Sequence, residues 1–312
     1  MSKPMAAIRP IHTYSIVARD VNSGEMGVAV QSHWFSVGSV VPWAKAGVGA
    51  VATQSFANVS FGLRGLRLLE EGKTAQGAVE ALVEPDEGRD GRQLAIVDAR
   101  GGVAAYTGAR CIAEAGHLIG EQFSVQANMM LNDRVWPAMA ETFAGSTGPL
   151  AERLVAALAA GQRAGGDVRG KQSAALLVVK AQATGRPWDD TVVELRVEDH
   201  PEPVQELQRL LRVHRAYGFM NQGDQCMERN DVQGALAAYG TAESLFPENL
   251  EMQFWHAVAL ANKGLVAQAL PVFQEVFRRD RNWVVLTTRL PAVSMLTLNE
   301  QDLQSILSLG RE

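Results

Sequence analysis

The hydrophobic pattern of the chain changes period at Asp199-His200-Pro201-Glu202-Pro203, and this change constrains the fold more than any other feature. Before it, short alternating apolar runs are mixed with runs at helical spacing, whereas the runs after it all have helical spacing. The two prolines interrupt elements of either kind. The sequence therefore predicts an N-terminal extension at 1–12, a mixed α+β domain at 13–203 and a helical domain at 204–312.

Strands of the first domain are predicted in hairpins and its helices in pairs. Thr13–Asp20 and Glu25–Ser32 are joined by Asn22-Ser23-Gly24, residues that tolerate tight turns and positive φ. The other predicted strands are Val48–Gln54, Leu94–Asp98, Val103–Thr107, Ser173–Lys180 and Thr191–Val197, and the predicted helices are Phe61–Glu71, Thr74–Val83, Arg134–Phe143 and Pro149–Arg163. This order lacks the regular strand-helix alternation of a doubly wound sheet, so it predicts an α+β sandwich.

A repeat of 34 residues occurs in the helical part. It aligns Gly223 with Ala257, Asn230 with Gly264, Ala235 with Ala269, Tyr239 with Phe273, and Ala242 with Val276. This spacing resembles the tetratricopeptide repeat, with flanking helices predicted at Val204–Arg215 and Leu298–Leu309. An ordinary helical bundle is the alternative, because only two units are visible and stable arrays need about three.

Composition narrows the class of protein and its partners. The 312 residues are 47% apolar, enough for a sizeable core, and the net charge of −5 has both signs interspersed. Such a chain lacks the basic field that nucleic acid binding requires. Cys111 and Cys226 are far apart and show no metal-ligand spacing, and no apolar run approaches the ~18 residues of a membrane span. We expect a cytoplasmic protein that binds neither nucleic acid nor membrane. We also expect a homo-oligomer, although no motif specifies the number of subunits.

Polar residues gather where predicted strands begin or end. Gly165–Ser173 is the most informative of these segments, because Asp167, Arg169, Gln172 and Ser173 lie among glycines directly before an apolar strand. These four side chains are therefore candidate substrate-binding groups. An Asp–Arg pair that only pins a long loop is the alternative reading.

Two more substrate-binding candidates come from other polar segments at predicted strand ends. His33 lies in Gln31-Ser32-His33, and Gln54 lies in Thr53-Gln54-Ser55. His33 and His117 could both titrate near neutrality, but a lone histidine is more often a hydrogen-bonding residue.

Several separate motifs, in order, resemble the family called domain of unknown function 1028. They are TYSIVARDVNSGEMGVAVQSHWFSVGSVVPWAKAGVGAVATQSFAN, YTGARC, VQANMM, GGDVRGKQSAALLVV and RVEDHPEPVQEL, within residues 12–210. The resemblance implies an N-terminal-nucleophile-hydrolase-like fold, a four-layer αββα sandwich, which agrees with the hairpins and helix pairs. The family has no settled activity.

The resemblance gives Thr13 a chemical role. In N-terminal nucleophile hydrolases the first residue attacks an amide carbonyl and its own α-amine accepts the proton. Thr13 heads the first strand, but MSKPMAAIRPIH precedes it, whereas members of the family often carry Met directly before the corresponding Thr. Either the His12–Thr13 bond is cleaved or this mechanism does not operate. A purely structural threonine is the alternative, since threonine is common in strands.

The leading hypothesis is an amidohydrolase acting on a small-molecule amide substrate, with no metal or organic cofactor. Thr13 would be nucleophile and base together, and Asn128 would donate to the oxyanion; Asn128 as a turn cap is the alternative. The second hypothesis is a non-catalytic ligand-binding protein whose helical tail docks a peptide or protein partner. A third follows from the resemblance alone, because some family members carry a C-terminal segment proposed to bind peptidoglycan.

Overall fold

The structure, a computed structural model, describes residues 13–310, and the predicted extension at 1–12 lies outside this range. The chain forms two compact units, one ending at Leu211 and the other beginning at Arg212. None of the described helices combines the length and the apolar character needed to cross a membrane.

The strands found in residues 13–310 all lie in the first unit and form two antiparallel sheets. They are β1 (Thr13–Arg19), β2 (Met26–Ser32), β3 (Pro42–Lys45), β4 (Gly49–Ser55), β5 (Arg92–Asp98), β6 (Val103–Thr107), β7 (Gly116–Gly120), β8 (Phe123–Ala127), β9 (Ser173–Val179) and β10 (Thr191–Val197). The larger sheet has the order β10-β9-β2-β1-β8-β7, and the smaller has the order β3-β4-β5-β6. β1 and β2 form the predicted hairpin, with Gly24 at φ 74° in its turn. β1 therefore lies in the interior of the larger sheet, hydrogen-bonded on both sides.

Two helix pairs accompany the sheets. They are α1 (Ser60–Glu70) with α2 (Ala75–Val83), and α3 (Val135–Gly145) with α4 (Leu150–Arg163). Thr74 caps α2, as its position predicts, by accepting a hydrogen bond from the Gly77 amide at 3.2 Å.

Three apolar layers hold these elements together. One lies between α3–α4 and the larger sheet, the second between the two sheets, and the third between the smaller sheet and α1–α2. Successive strand residues point to opposite faces, so Ile16 joins the first layer and Val17 the second. The mixed α+β organisation predicted for this part of the chain is confirmed.

The C-terminal part is helical, as predicted. Its helices are α5 (Pro203–Glu228), α6 (Val232–Leu245), α7 (Leu250–Asn262), α8 (Val266–Arg279), α9 (Asn282–Arg289) and α10 (Glu300–Ser308). α5 begins at the predicted boundary of residue 203, but Val204, Leu207 and Leu211 pack in the core of the first unit. The boundary between the two compact units therefore lies within α5, after Leu211.

Residues 34 positions apart occupy matching places in the helical unit. Asn230 and Gly264 both end a helix with positive φ, 60° and 76°. Tyr239 and Phe273 are both fully buried, one on α6 and the other on α8. The repeat in the sequence thus corresponds to a repeat of turns and core positions.

Three strands, β3, β7 and β8, were not predicted. β3 has only four residues and begins with Pro42. Leu118 and Ile119 of β7 are both exposed, because β7 lies at the edge of the larger sheet. In β8 the polar Ser124 and Gln126 face another sheet instead of solvent, so the polar/apolar alternation does not mark its buried face.

Candidate functional site

The layer between the two sheets is apolar at one end and polar at the other. At the end where β1 begins, hydroxyl and amide side chains replace the valines and alanines found deeper in the layer. We call this group the polar cluster; it consists of Thr13, Ser15, Ser32, Gln54, Gln93, Thr107, Ser124, Gln126 and Asn128. All except Thr107 are fully buried. Buried polar groups must find hydrogen-bond partners within the protein, so the cluster has a defined network.

Strand alternation brings these residues to one place. Thr13 and Ser15 lie on the face of β1 opposite to Tyr14 and Ile16, which pack against the helices. Thr13 pairs with Ser32 across β1 and β2, and Ser32 pairs with Ser173 across β2 and β9. Three hydroxyl side chains therefore occupy one cross-strand row of the larger sheet.

The carbonyl oxygen of Thr13 accepts hydrogen bonds from two residues. The Asn128 backbone amide donates to it at 3.1 Å, Nε2 of Gln54 at 3.2 Å and Nδ2 of Asn128 at 3.5 Å. Gln54 belongs to the smaller sheet, whereas Asn128 directly follows β8 of the larger one. The position of Thr13 is thus fixed from both sheets.

The Gln93 side chain lies at the centre of the network and bonds to five other residues. Its Oε1 accepts from Nε2 of Gln54 at 2.7 Å and from Nδ2 of Asn128 at 2.8 Å. Its Nε2 donates to the Ala127 carbonyl at 2.8 Å, to Oγ1 of Thr107 at 2.9 Å and to the Gly116 carbonyl at 3.2 Å. One buried side chain thus connects β4, β6, β7 and β8.

The polar cluster contains no Asp, Glu, Lys or Arg. A titratable residue lies beside it, because Nδ1 of His117 is 2.8 Å from Oγ1 of Thr107. Burial lowers the pKa of His117 below its ordinary value. The cluster and this histidine are therefore electrically neutral at neutral pH.

The chain turns sharply just beyond the cluster. Ser55 follows Gln54 with φ 65°, and Met129 follows Asn128 with φ 60°. Non-glycine residues seldom adopt this left-handed conformation, which costs of order 1 kcal/mol or more. Two strand ends next to Thr13 therefore carry backbone strain.

A surface groove with a volume of about 580 Å³ adjoins the cluster. Its wall is formed by residues of the segment 107–117 other than Arg110 and Ile112, and Thr107 and His117 belong to this wall as well as to the hydrogen-bond network. Cys111 also lines the groove, but burial raises the pKa of its thiol, which donates to the Arg92 carbonyl at 3.3 Å. Its thiol is therefore protonated at neutral pH, which does not suit a nucleophile.

Asp167 and Arg169 form a second polar group. The Asp167 side chain is buried and accepts from the Arg169 backbone amide at 2.9 Å and from its Nε and Nη2 at 3.0 and 2.6 Å. The His33 backbone amide donates to the same carboxylate at 3.2 Å, while the His33 residue is exposed. In this geometry the Arg169 fork binds the carboxylate of its own loop.

The last two predicted substrate-binding residues make other contacts. Nε2 of Gln172 donates to Oδ1 of Asp199 at 3.1 Å. Oγ of Ser173 donates to the Trp34 carbonyl and accepts from the Val37 amide. Of the predicted site residues, the structure thus brings Thr13, Gln54 and Asn128 into one network and places Asp167, Arg169 and His33 in another.

Several members of the polar cluster lie in or near polar segments at predicted strand ends but were not predicted to be catalytic or substrate-binding residues. They are Ser32, Gln93, Thr107, Ser124 and Gln126. A weak signal was present, because Gln93 stands directly before the apolar run Leu94–Val97 and Ser32 stands two residues after the run Met26–Val30. Polar residues are common where strands end, so these positions indicate a shared site only once the stacking of the two sheets is known.

Among residues 13–310 no group of three or more His, Cys, Asp or Glu side chains is arranged to hold a metal ion.

Comparison with known proteins assigns the family. The model of a family of unknown function, DUF1028, matches residues 13–207. The chain belongs to DUF1028. A solved DUF1028 structure, protein SPO2555 from Silicibacter pomeroyi, is 32% identical, with a TM-score of 0.58 over 64% of this chain and 85% of that one. Anbu, an ancestral beta-subunit from Yersinia bercovieri, is 12% identical, with a TM-score of 0.34 over 64% of this chain and 93% of its own. No curated protein matches significantly.

The DUF1028 match begins at Thr13 and ends at Leu207. It therefore contains the whole polar cluster, the adjoining groove and the Asp167–Arg169 loop. Helices α6 to α10 lie beyond the matched residues of this DUF1028 protein.

Proposed function

We propose that this DUF1028 protein is an amidohydrolase for small amide substrates. In this proposal Thr13 is the nucleophile once residues 1–12 are removed. The first unit is then a four-layer N-terminal-nucleophile-hydrolase-like sandwich. One observation carries the proposal. Thr13 is the first residue of an interior strand, at the polar end of the layer between the sheets, and donors from both sheets hold its carbonyl.

The chemistry needs only Thr13 itself. Oγ forms a bond to the substrate carbonyl carbon, and its proton passes to the α-amine of the same residue. The protonated amine then gives this proton to the leaving nitrogen as the C–N bond breaks. Water hydrolyses the resulting ester with the amine again as base. An α-amine has an ordinary pKa of about 7.7 to 8.0, so a useful fraction of it is unprotonated at neutral pH.

Other residues would support this reaction. Asn128 would offer Nδ2 to the oxyanion by giving up its 3.5 Å contact to the Thr13 carbonyl, since it keeps the shorter bond to Gln93. Gln54 would position Thr13. In this proposal Asp167 holds Arg169 for an acidic group of the substrate, and His33, Gln172 and Ser173 shape the same edge of the site.

The mature N-terminus tests this proposal. We expect protein purified from its native source to begin at Thr13, by intact mass and N-terminal sequencing, and to hydrolyse small amides. A native protein that retains His12 yet hydrolyses amides at the same rate as a chain beginning at Thr13 would refute the role of the free amine, because an acylated nitrogen cannot accept the proton.

A non-catalytic ligand-binding protein is the second candidate, and one observation favours it. The Thr13 side chain is fully buried in a chain in which His12 precedes it. If the chain retains His12 and binds small amides without hydrolysing them, this candidate is correct.

For the second unit we propose a tetratricopeptide-like fold that docks a basic, partly apolar peptide. The helical unit contains a cavity of about 440 Å³ whose wall combines the indole of Trp255 with the carboxylates of Asp224, Glu228 and Glu251. None of the residues lining this cavity is Lys or Arg. Aromatic faces and carboxylates together suit a lysine or arginine side chain.

Peptide binding by the full chain tests the proposal for the tail. We expect a fluorescein-labelled peptide of alternating Lys and Leu to bind, and its Glu/Leu counterpart not to bind. Trp255→Ala should weaken binding at least 10-fold, because a central aromatic anchor is lost, whereas Glu275→Gln on the exposed Arg278–Glu275 pair should leave it unchanged. Equal binding of both peptides would contradict the proposed chemistry.

A further inference from the structure

Backbone carbonyls fix the orientation of the two central amide side chains. A carbonyl only accepts hydrogen bonds, so the atom of Gln93 that faces the Ala127 and Gly116 carbonyls must be its nitrogen. The same reasoning applies to Gln54, whose nitrogen faces the Thr13 carbonyl. With these orientations set, the direction of each bond between them follows.

The direction continues outward to His117. Nε2 of Gln93 donates to Oγ1 of Thr107, so this hydroxyl accepts from the network and has one proton of its own to donate. Nδ1 of His117, at 2.8 Å, is the one acceptor found for it among residues 13–310. If Thr107 donates this proton to Nδ1, the proton of neutral His117 resides on Nε2.

The hydrogen bonds in the inner part of the network also point from donor to acceptor toward Gln93. Ser124 donates to Gln126, Gln126 to Ser15, and Ser15 to Gln54, at 3.1, 2.6 and 2.6 Å. Gln54 then donates to Gln93 at 2.7 Å. From Gln126 to Gln93 each residue thus both accepts from the previous residue and donates to the next, an order in which successive bonds polarise and strengthen one another.

The outer end of this series of hydrogen bonds lies at the groove in the 107–117 segment. Nε2 of His117 makes no hydrogen bond to any residue that the structure describes, and His117 forms part of the groove wall. Most of the wall consists of small residues, including Gly108, Ala109 and Ala113, and its one charged residue is Glu114. Without a cation, the groove disfavours an anionic ligand.

We propose that this groove is a binding site for a small uncharged ligand with a carbonyl oxygen, such as a carboxamide, and that Nε2–H of His117 donates the hydrogen bond that holds it. Thr107 is a positioning residue, because its hydroxyl fixes which nitrogen of His117 carries the proton. Burial supports this role by keeping the imidazole neutral. The site rests on the geometry of the network and does not require Thr13 to be a nucleophile.

The protonation state of the two ring nitrogens tests the role of Thr107. In ¹⁵N spectra of the full chain near pH 7.5, we expect Nδ1 of His117 to have the shift of an unprotonated nitrogen and Nε2 that of a protonated one; His117→Phe assigns the signals. Thr107→Ser keeps the hydroxyl and should keep this pattern. Thr107→Val should mix the two tautomers and move both shifts toward each other. A proton on Nδ1 in the unaltered protein would overturn the proposal.

Titration with acetamide tests the ligand class. We expect saturable shifts of His117 Nε2 and of the Ala115 and Gly116 amides, at least 10-fold weaker binding in His117→Phe, and weaker binding of acetate than of acetamide. Absence of a saturable shift, or acetate binding as well as acetamide, would overturn the site. Neither measurement uses catalysis, so a failed hydrolysis assay and a failed titration remain distinguishable.

Discussion

Replacing Thr13 with alanine in a chain that begins at this residue should abolish amide hydrolysis while the fold persists. The alanine variant retains the α-amine but lacks the oxygen that forms the acyl bond, so the loss should be on the order of 10³- to 10⁶-fold in kcat/KM. A series of N-acyl p-nitroanilides with small acyl groups provides the assay. Mass spectrometry should show an acyl adduct on Thr13 after treatment with a β-lactone.

Two further variants show whether any loss is specific to this hydroxyl. Thr13→Ser keeps an oxygen nucleophile and should retain measurable activity and the adduct. Thr191→Ala removes an exposed threonine at the start of another strand and should behave as the unaltered protein does. Hydrolysis by Thr13→Ala at the rate of the parent chain would exclude Thr13 from the mechanism.

Gln93→Leu should cost the first unit about 3 to 5 kcal/mol of its free energy of unfolding. Leucine has a similar volume but leaves buried Gln54 and Asn128 without their shared acceptor, and each unsatisfied buried donor costs about 1 to 3 kcal/mol. It also removes the amide nitrogen that donates hydrogen bonds to Thr107 Oγ1 and to the Ala127 carbonyl. A loss of this size is large relative to the ~5 to 15 kcal/mol of a typical domain.

Hydrogen exchange of the slowest β1 amides measures this change for the first unit alone. Gln76→Leu is the matched control, because Gln76 is exposed on α2 and bonds only to Glu80, so its loss should stay within about 0.5 kcal/mol. If Gln93→Leu costs no more than this control, the network does not hold the sheets together at this end.

Local pattern was sufficient for most of the fold. The two-residue period and the turn at Gly24 specified β1 and β2, and helical spacing with a Thr74 cap specified α2. The same signals failed for β8, because its inward face is polar. Periodicity assumes that polar means exposed, which is untrue where two sheets bury a hydrogen-bonded network.

The sequence by itself determined the strand and helix periods, the change to helices near Pro203, the 34-residue repeat and the family motifs, because these depend on neighbours along the chain. It also placed Thr13 at the head of a strand. Only the tertiary structure decided which polar residues share a site, since Thr13, Gln54, Gln93 and Asn128 come from four separate segments. It also decided the orientation of the Gln54 and Gln93 amides, because backbone carbonyls from other strands, absent from any local pattern, face their nitrogens.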